Sequence, residues 1–141
     1  MKKVSEMENI LVVLEKTDNN YAAYVPELEG CVATGSNIQD IKNSLEEAVS
    51  FHLDGLRESG TEIPEAFQGK YNFNYRMDME SFFEWFQGVL TKAGISKLTG
   101  MNQSLVSQYA NGFKKPGRKQ IERIQNAIHA FGQELQQVQF L

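Results

Sequence analysis

A single cysteine, Cys31, in 141 residues excludes an intramolecular disulfide. Histidine is almost as scarce: His52 and His129 stand far apart, and no Cys-x-x-Cys pair accompanies them. That inventory is too thin for a structural zinc site, so no metal or cofactor is expected. No apolar run approaches the roughly 18 residues of a membrane span. The longest, Ile10-Leu11-Val12-Val13-Leu14, has only the length of a strand. The start, Met1-Lys2-Lys3, is basic, but Glu6 and Glu8 precede any hydrophobic stretch, which argues against a secretory signal. The expectation is a cytoplasmic protein with no membrane association.

Acid is missing from one long stretch. Residues 91–121 contain six bases (Lys92, Lys97, Lys114, Lys115, Arg118 and Lys119) and no Asp or Glu. Residues 91–141 hold 7 bases against 2 acids, net +5, whereas residues 1–77 hold 7 against 13, net −6. Such asymmetry is expected when one half meets a polyanion and the other does not.

What is present divides into two patterns. Residues 10–14 form a continuous, β-branched apolar run, expected as a strand buried on both faces. The polar cluster Thr17-Asp18-Asn19-Asn20 reads as a turn. Tyr21, Ala23 and Val25 then alternate with Ala22 and Tyr24 until Pro26, and residues 31–34 make a third short strand ending at Gly35. Together these predict a small antiparallel meander. A helix of about 21 residues follows, with Asn37 as N-cap and Asp40 as the capping acid. Its apolar stripe runs through Ile38, Ile41, Leu45, Ala48, Val49, His52, Leu53 and Leu56, and Gly60 closes it. After a loop over 61–69, Tyr71, Phe73 and Tyr75 alternate with Asn72, Asn74 and Arg76 as a fourth strand.

Near Asp78 the period changes from two to 3.6, which sets the expected domains at 1–77 and 78–141. Phe82, Phe83, Trp85, Phe86, Val89 and Leu90 form one helix face; Leu105, Val106 and Tyr109 form a second group; Ile121, Ile124, Ile128, Phe131 and Leu135 form a third. The tail over 136–141 fits either a helix end or an extra strand.

Between the first two groups each residue has a mechanical role. Thr91 caps a short helix whose Ile95 and Leu98 point inward. Gly100 stands where a tight turn between crossing helices needs a left-handed backbone. Asn102 caps the next helix, with Leu105 or Val106 and Tyr109 inward and Gln103, Ser104, Ser107 and Gln108 outward. Asn111-Gly112 ends that helix, since both tolerate positive φ, and Lys114-Lys115-Pro116 leads to the last helix. The outward set carries no charge. Gln offers a donor and an acceptor that match an adenine edge in the major groove, and Ser serves either role. The lysines and Arg118 supply attraction to phosphates that is independent of sequence.

The stretch from Gly100 to Gly112, followed by Lys-Lys-Pro, resembles the Cro/phage-repressor (XRE-type) helix-turn-helix. The resemblance implies base-reading positions at Gln103, Ser104, Ser107 and Gln108, with Asn111 and the lysine loop near phosphates. Two positions depart from that pattern. Gly94 lies where a good helix former is usual, and Gly117 where Ser or Thr usually caps the last helix.

The run Tyr21-Ala-Ala-Tyr-Val-Pro-Glu-Leu-Glu-Gly-Cys31, with Thr34-Gly-Ser-Asn-Ile-Gln-Asp, Leu45-Glu-Glu-Ala-Val and Gly60-Thr-Glu-Ile-Pro64, resembles the HicB antitoxin family over most of residues 9–65. That resemblance implies a partial ribonuclease-H-like β-β-β-α-β domain ahead of an all-α helix-turn-helix domain, an α+β chain overall. It also implies a HicA-like, mRNA-cleaving toxin as partner and repression of the chain's own operon through operator DNA. A homodimer or higher homo-oligomer follows from the resemblance and from the spacing of DNA half-sites. An acidic first domain suits a basic partner. The strand–turn segment offers Tyr24 and Leu28 as candidate anchors, while Pro26, Gly30 and Cys31 read as structural. Metal-dependent nuclease chemistry would need several carboxylates converging from strands. The sequence offers only Glu15 on strand one and Glu27 and Glu29 in a turn, so a non-enzymatic protein is expected. The alternative is a stand-alone helix-turn-helix transcriptional regulator whose first domain binds a ligand or dimerises.

Overall fold

The computed structural model describes residues 7–141. The basic start Met1-Lys2-Lys3 and Glu6, used above against a signal segment, lie outside the described residues. The chain is mixed α and β, with one four-stranded sheet and five α-helices among the described residues. It divides into two compact units, Met1–Asp78 and Met79–Leu141.

The first unit carries strands β1 (Glu8–Lys16), β2 (Tyr21–Tyr24) and β3 (Val32–Gly35), helix α1 (Ile38–Glu58), a single 3-10 turn (Glu65–Phe67) and strand β4 (Tyr71–Arg76). The sheet order is β3-β2-β1-β4. β1, β2 and β3 pair antiparallel as the expected meander, joined by short turns. β4 pairs parallel to β1, with Ile10 opposite Phe73 and Val12 opposite Tyr75. A parallel pair needs a long crossover, and α1 supplies it.

Period-two alternation decides which face α1 covers. Ile10, Val12 and Leu14 are buried, with Tyr21, Ala23 and Ala33 beside them on the same face. α1 lays Ile41, Leu45, Val49 and Leu53 over this face, each contributing about 1.5–3 kcal/mol by leaving water. The helix begins where expected: the Asn37 side chain accepts from the Asp40 amide at 2.9 Å, and its amide donates back to the Asp40 carboxylate. Gly35 is demanded by packing, because a Cβ there would lie 2.8 Å from the Ile41 backbone nitrogen. β1 differs from the expectation of a strand buried on both faces. Leu11 and Val13, on the side away from α1, are only half-buried. The loop over 61–69 also holds an unforeseen core residue, Phe67, whose ring opens an aromatic ladder through Tyr71, Phe73 and Tyr75 at centroid spacings of 5.0, 5.7 and 6.5 Å.

The second unit is helical: α2 (Met79–Trp85), α3 (Lys92–Thr99), α4 (Gln103–Ala110) and α5 (Arg118–Gln136). Its core gathers Phe82, Phe83, Ile95, Met101, Val106, Tyr109 and Ile124. The single helix face expected over Phe82–Leu90 is shorter than its pattern: α2 stops at Trp85, and Val89 is exposed beyond it. The chain turns there, with Gly88 at positive φ. The last apolar group lies on α5 as expected, but only Ile124 of it is fully buried. α5 ends at Gln136, and residues 138–141 form neither helix nor strand.

Candidate nucleic-acid interface and the open sheet face

The junction between α3 and α4 is built from local rules. The Thr91 hydroxyl accepts from the Gly94 amide at 2.9 Å and starts α3. A Cβ on Gly94 would sit 3.1 Å from that hydroxyl, so glycine at this unusual place lets the cap close. Gly94 therefore neither delays nor breaks the helix. Gly100 ends α3 with φ 73°, the left-handed turn expected of it. Two residues later Asn102 starts α4, its side chain accepting from Ser104 N–H at 2.8 Å.

Polar bonds that sequence patterning missed hold this elbow. The buried Thr99 hydroxyl donates to Ile95 C=O at 2.7 Å and accepts from Met101 N–H at 3.2 Å. Ser96 donates to Met101 C=O at 2.5 Å. From α5, Arg123 Nε donates to Thr99 C=O at 3.1 Å, satisfying a carbonyl that the end of α3 leaves open. The one sequence signal for these roles is a hydroxyl at each of two positions in the last turn before Gly100. Arg123 had none, since its partner lies 24 residues away.

Within α4, Val106 and Tyr109 face the core and Leu105 is half-buried. Gln103, Ser104 and Gln108 are exposed and Ser107 is half-buried, so the four share an outward, uncharged surface. α4 ends at Asn111-Gly112 as expected; of the two residues that tolerate positive φ, Asn111 takes φ −95° and Gly112 alone is left-handed, at φ 80°. The Asn111 side-chain Oδ1 accepts from Phe113 N–H at 3.0 Å, leaving its side-chain N–H groups as donors toward an anion. Lys114 N–H bonds Gln108 C=O at 3.2 Å and ties the basic loop to the end of α4. Lys114, Lys115 and Arg118 are all exposed. Arg118 lies 3.3 Å from Glu122, an exposed i,i+4 pair too weak to withhold it from a phosphate. Gly117 precedes α5 with no side-chain cap, as its departure from the repressor pattern implies. Phe113, 86% exposed beside the lysines, was not anticipated.

In the first unit, no helix among the described residues of that unit lies on the sheet face away from α1. Register places Val13, Tyr24 and Val32 in one row across β1, β2 and β3. Val32 and Tyr24 are exposed and Val13 half-exposed, so this is an apolar strip open to solvent. Tyr24 thus stands where the sequence put it. Leu28 does not: it is 2% exposed, and its side chain belongs to the core rather than to a contact surface. The turn explains this, since Leu28 N–H bonds Val25 C=O and Cys31 N–H bonds Leu28 C=O, folding the segment inward. Cys31 is buried there, and burial pushes its thiol pKa up. Burial, and then Glu46, raise the Tyr75 phenol as well. Lys42 lies 5.9 Å over the Tyr75 ring. Among the described residues no group of three or more His, Cys, Asp or Glu is placed to hold a metal ion. No helix among them is long and apolar enough to cross a membrane.

Two curated proteins are similar over part of the chain. An uncharacterised 14.9 kDa protein from the rep-hol intergenic region of Haemophilus phage HP1 is 31% identical over 55 residues, 39% of this chain and 41% of its own length. A UPF0150 protein of Helicobacter pylori is 38% identical over 47 residues, 33% of this chain and 65% of its own. The chain therefore spans less than two thirds of either relative. No solved structure matches. The HicB-like antitoxins of bacterial toxin–antitoxin systems match residues 10–100, which takes in the sheet apart from the first two residues of β1, with α1, α2 and α3, and stops before α4. With nearly two thirds of its length matched, the chain belongs to the HicB-like antitoxin family.

Proposed function

We propose that this protein is the antitoxin of a toxin–antitoxin pair, neutralising a HicA-like, mRNA-cleaving toxin and repressing its own operon. Family membership implies a toxin partner in general. The first domain, residues 1–77, takes the toxin; its order β-β-β-α-β supports a partial ribonuclease-H-like fold. Its net −6 charge suits a basic RNA-binding partner. The second domain, 78–141, binds operator DNA through an XRE-type helix-turn-helix formed by α3 and α4. The protein acts as a non-enzymatic, cytoplasmic homo-oligomer without a cofactor.

One observation carries the DNA reading. The uncharged surface of α4 (Gln103, Ser104, Ser107, Gln108) stands beside exposed Lys114, Lys115 and Arg118, in a stretch of 31 residues without an acid. Neutral amides and hydroxyls read base edges, while the flanking cations hold the phosphates.

Two experiments test the proposal. Co-expression with a HicA-like toxin should yield a stable complex and relieve the growth arrest that the toxin causes. If DNA is bound but no such partner co-purifies, a stand-alone regulator replaces the antitoxin reading. For DNA, Gln103→Ala should cost about 1–3 kcal/mol on the DNA upstream of its gene and little on random DNA. Lys114→Ala and Lys115→Ala should weaken both and flatten the salt dependence. Equal losses on both DNAs for Gln103→Ala would remove α4 from base reading.

A further inference from the structure

Folding gives no reason for an aromatic ring at position 113. Phe113 stands in the loop between α4 and α5 with 86% of its surface exposed, so it adds almost nothing to the core of its unit. Its place is nevertheless fixed. Phe113 N–H donates to Asn111 Oδ1 at 3.0 Å, and Gly112 N–H donates to Tyr109 C=O at 3.4 Å. On the other side, Lys114 N–H donates to Gln108 C=O at 3.2 Å. Gly112 is left-handed at φ 80°, and the Glu80 carboxylate of α2 fills the space where a Cβ on it would stand. Pro116, next after Lys115, restricts the backbone again. The loop therefore holds the ring out to solvent in one place.

The neighbours decide what can cover it. Asn111, Gly112, Lys114 and Lys115 are all exposed, and none carries an apolar side chain, so Phe113 is a single ring on a cationic edge. A protein partner needs an apolar centre from which lysine is depleted. A small anion would use the lysines and leave the ring bare. DNA alternates both chemistries along each strand, a charged phosphate and then the apolar face of a deoxyribose. The surrounding stretch of 31 residues without an acid favours that polyanion. We propose that the Phe113 ring packs on a deoxyribose of the bound DNA, between phosphates held by the Asn111 side-chain N–H groups and by Lys114. The proposal rests on the DNA-binding reading of the second domain and adds a contact of a third kind to it. A sugar contact carries no sequence information, unlike the amides of Gln103 and Gln108. An apolar contact releases no counterion, unlike the lysines.

The experiment is fluorescence anisotropy with two labelled duplexes, the DNA upstream of its gene and a shuffled sequence of the same composition, over a series of salt concentrations. Phe113→Ala should bind both duplexes about three- to tenfold more weakly, the loss expected from leaving roughly half of a Phe side chain unburied. Its salt slope should match the wild type, whereas Lys114→Ala should lower that slope by about 1. Phe113→Leu, which keeps an apolar side chain, should recover part of the affinity. Because the ring is exposed, Phe113→Ala should melt with the wild type in the transition reported by Trp85 and sediment with the wild-type mass. Wild-type affinity in Phe113→Ala overturns the proposal, and so does a loss confined to the upstream duplex, which would make the ring a reader of bases. A lower sedimenting mass in Phe113→Ala overturns it too, by placing the ring between copies of the chain. A wild-type chain that binds neither duplex sinks the DNA-binding reading itself. When the wild type and Lys114→Ala behave as described, an unaffected Phe113→Ala sinks this contact alone.

Discussion

Gly100→Ala isolates the backbone turn on which the presentation of α4 depends. Gly100 holds φ 73° between α3 and α4. An L-residue with a Cβ pays roughly 1–2 kcal/mol for the left-handed conformation. Packing adds little, because a Cβ there would meet only Arg123 Nη2 at 3.5 Å, an ordinary contact. The cost is therefore almost purely conformational, about 1–2 kcal/mol. For a unit of this size each kcal/mol moves the melting midpoint by about 4–8 °C. The only tryptophan, Trp85, lies in α2, so its fluorescence reports the unit that contains the turn. A drop of roughly 4–15 °C in that midpoint is expected for Gly100→Ala, with much of it recovered in Gly100→Asn, since asparagine visits this conformation more readily. Gly55→Ala serves as the opposite control. It lies inside α1 with nothing within 4 Å, and alanine there should stabilise the other unit by about 0.8–1 kcal/mol. An unchanged Trp85 midpoint in Gly100→Ala, or an equal loss in both Gly100 variants, would refute the argument from backbone conformation.

Three further expectations follow from the geometry. Asn102→Ala removes the cap of α4 and should cost about 0.5–2 kcal/mol in the Trp85-reported melt; Asn102→Asp should retain most of it, and a neutral Asn102→Ala would show that the cap bond contributes nothing. Cys31 and Tyr75 are acids whose pKa values burial raises, so the folded state keeps its protons where the unfolded chain releases them. Their contribution is present below the ordinary thiol and phenol values and is lost as pH rises past roughly 9 and 10; denaturant titrations of the first unit should show stability falling in that window, and alkylation of Cys31 should track unfolding rather than proceed in the native state. On the open sheet face, Tyr24→Ala and Val32→Asp should weaken capture of the co-expressed toxin with little change in melting, whereas Leu28→Ala should chiefly destabilise the fold by about 2–5 kcal/mol; toxin binding untouched by both surface variants would move the contact elsewhere.

Local chemistry was legible wherever one residue type satisfies one backbone need. Asn37 and Asn102 each accept an amide at a helix start, and Gly100 takes the left-handed turn. The period of α1 likewise put the four buried side chains, Ile41, Leu45, Val49 and Leu53, within its eight-residue stripe, though it did not separate them from the other four. Legibility failed where burial depends on what lies opposite. Leu28 reads as an exposed turn residue beside two glutamates, yet two backbone bonds fold it into the core. Phe67 sits in a loop containing proline and glycine, yet its ring is buried against Tyr71. Arg123 looks like one more base on a polar helix until Thr99 C=O is found 3.1 Å from its Nε.

By itself the sequence determined the units of structure and their chemical character: an acidic half of period two with one long helix, and a helical half with an acid-free basic stretch and an uncharged polar surface on α4. These are properties of neighbours along the chain, where caps, turns and alternation act within a few residues. The tertiary structure decided which faces are covered. It set β4 parallel beside β1, left the Val13–Tyr24–Val32 row open, sank Leu28, and let the apolar stripe of α5 outrun its core. Those outcomes depend on pairings across tens of residues, and no single segment encodes the partner that buries it.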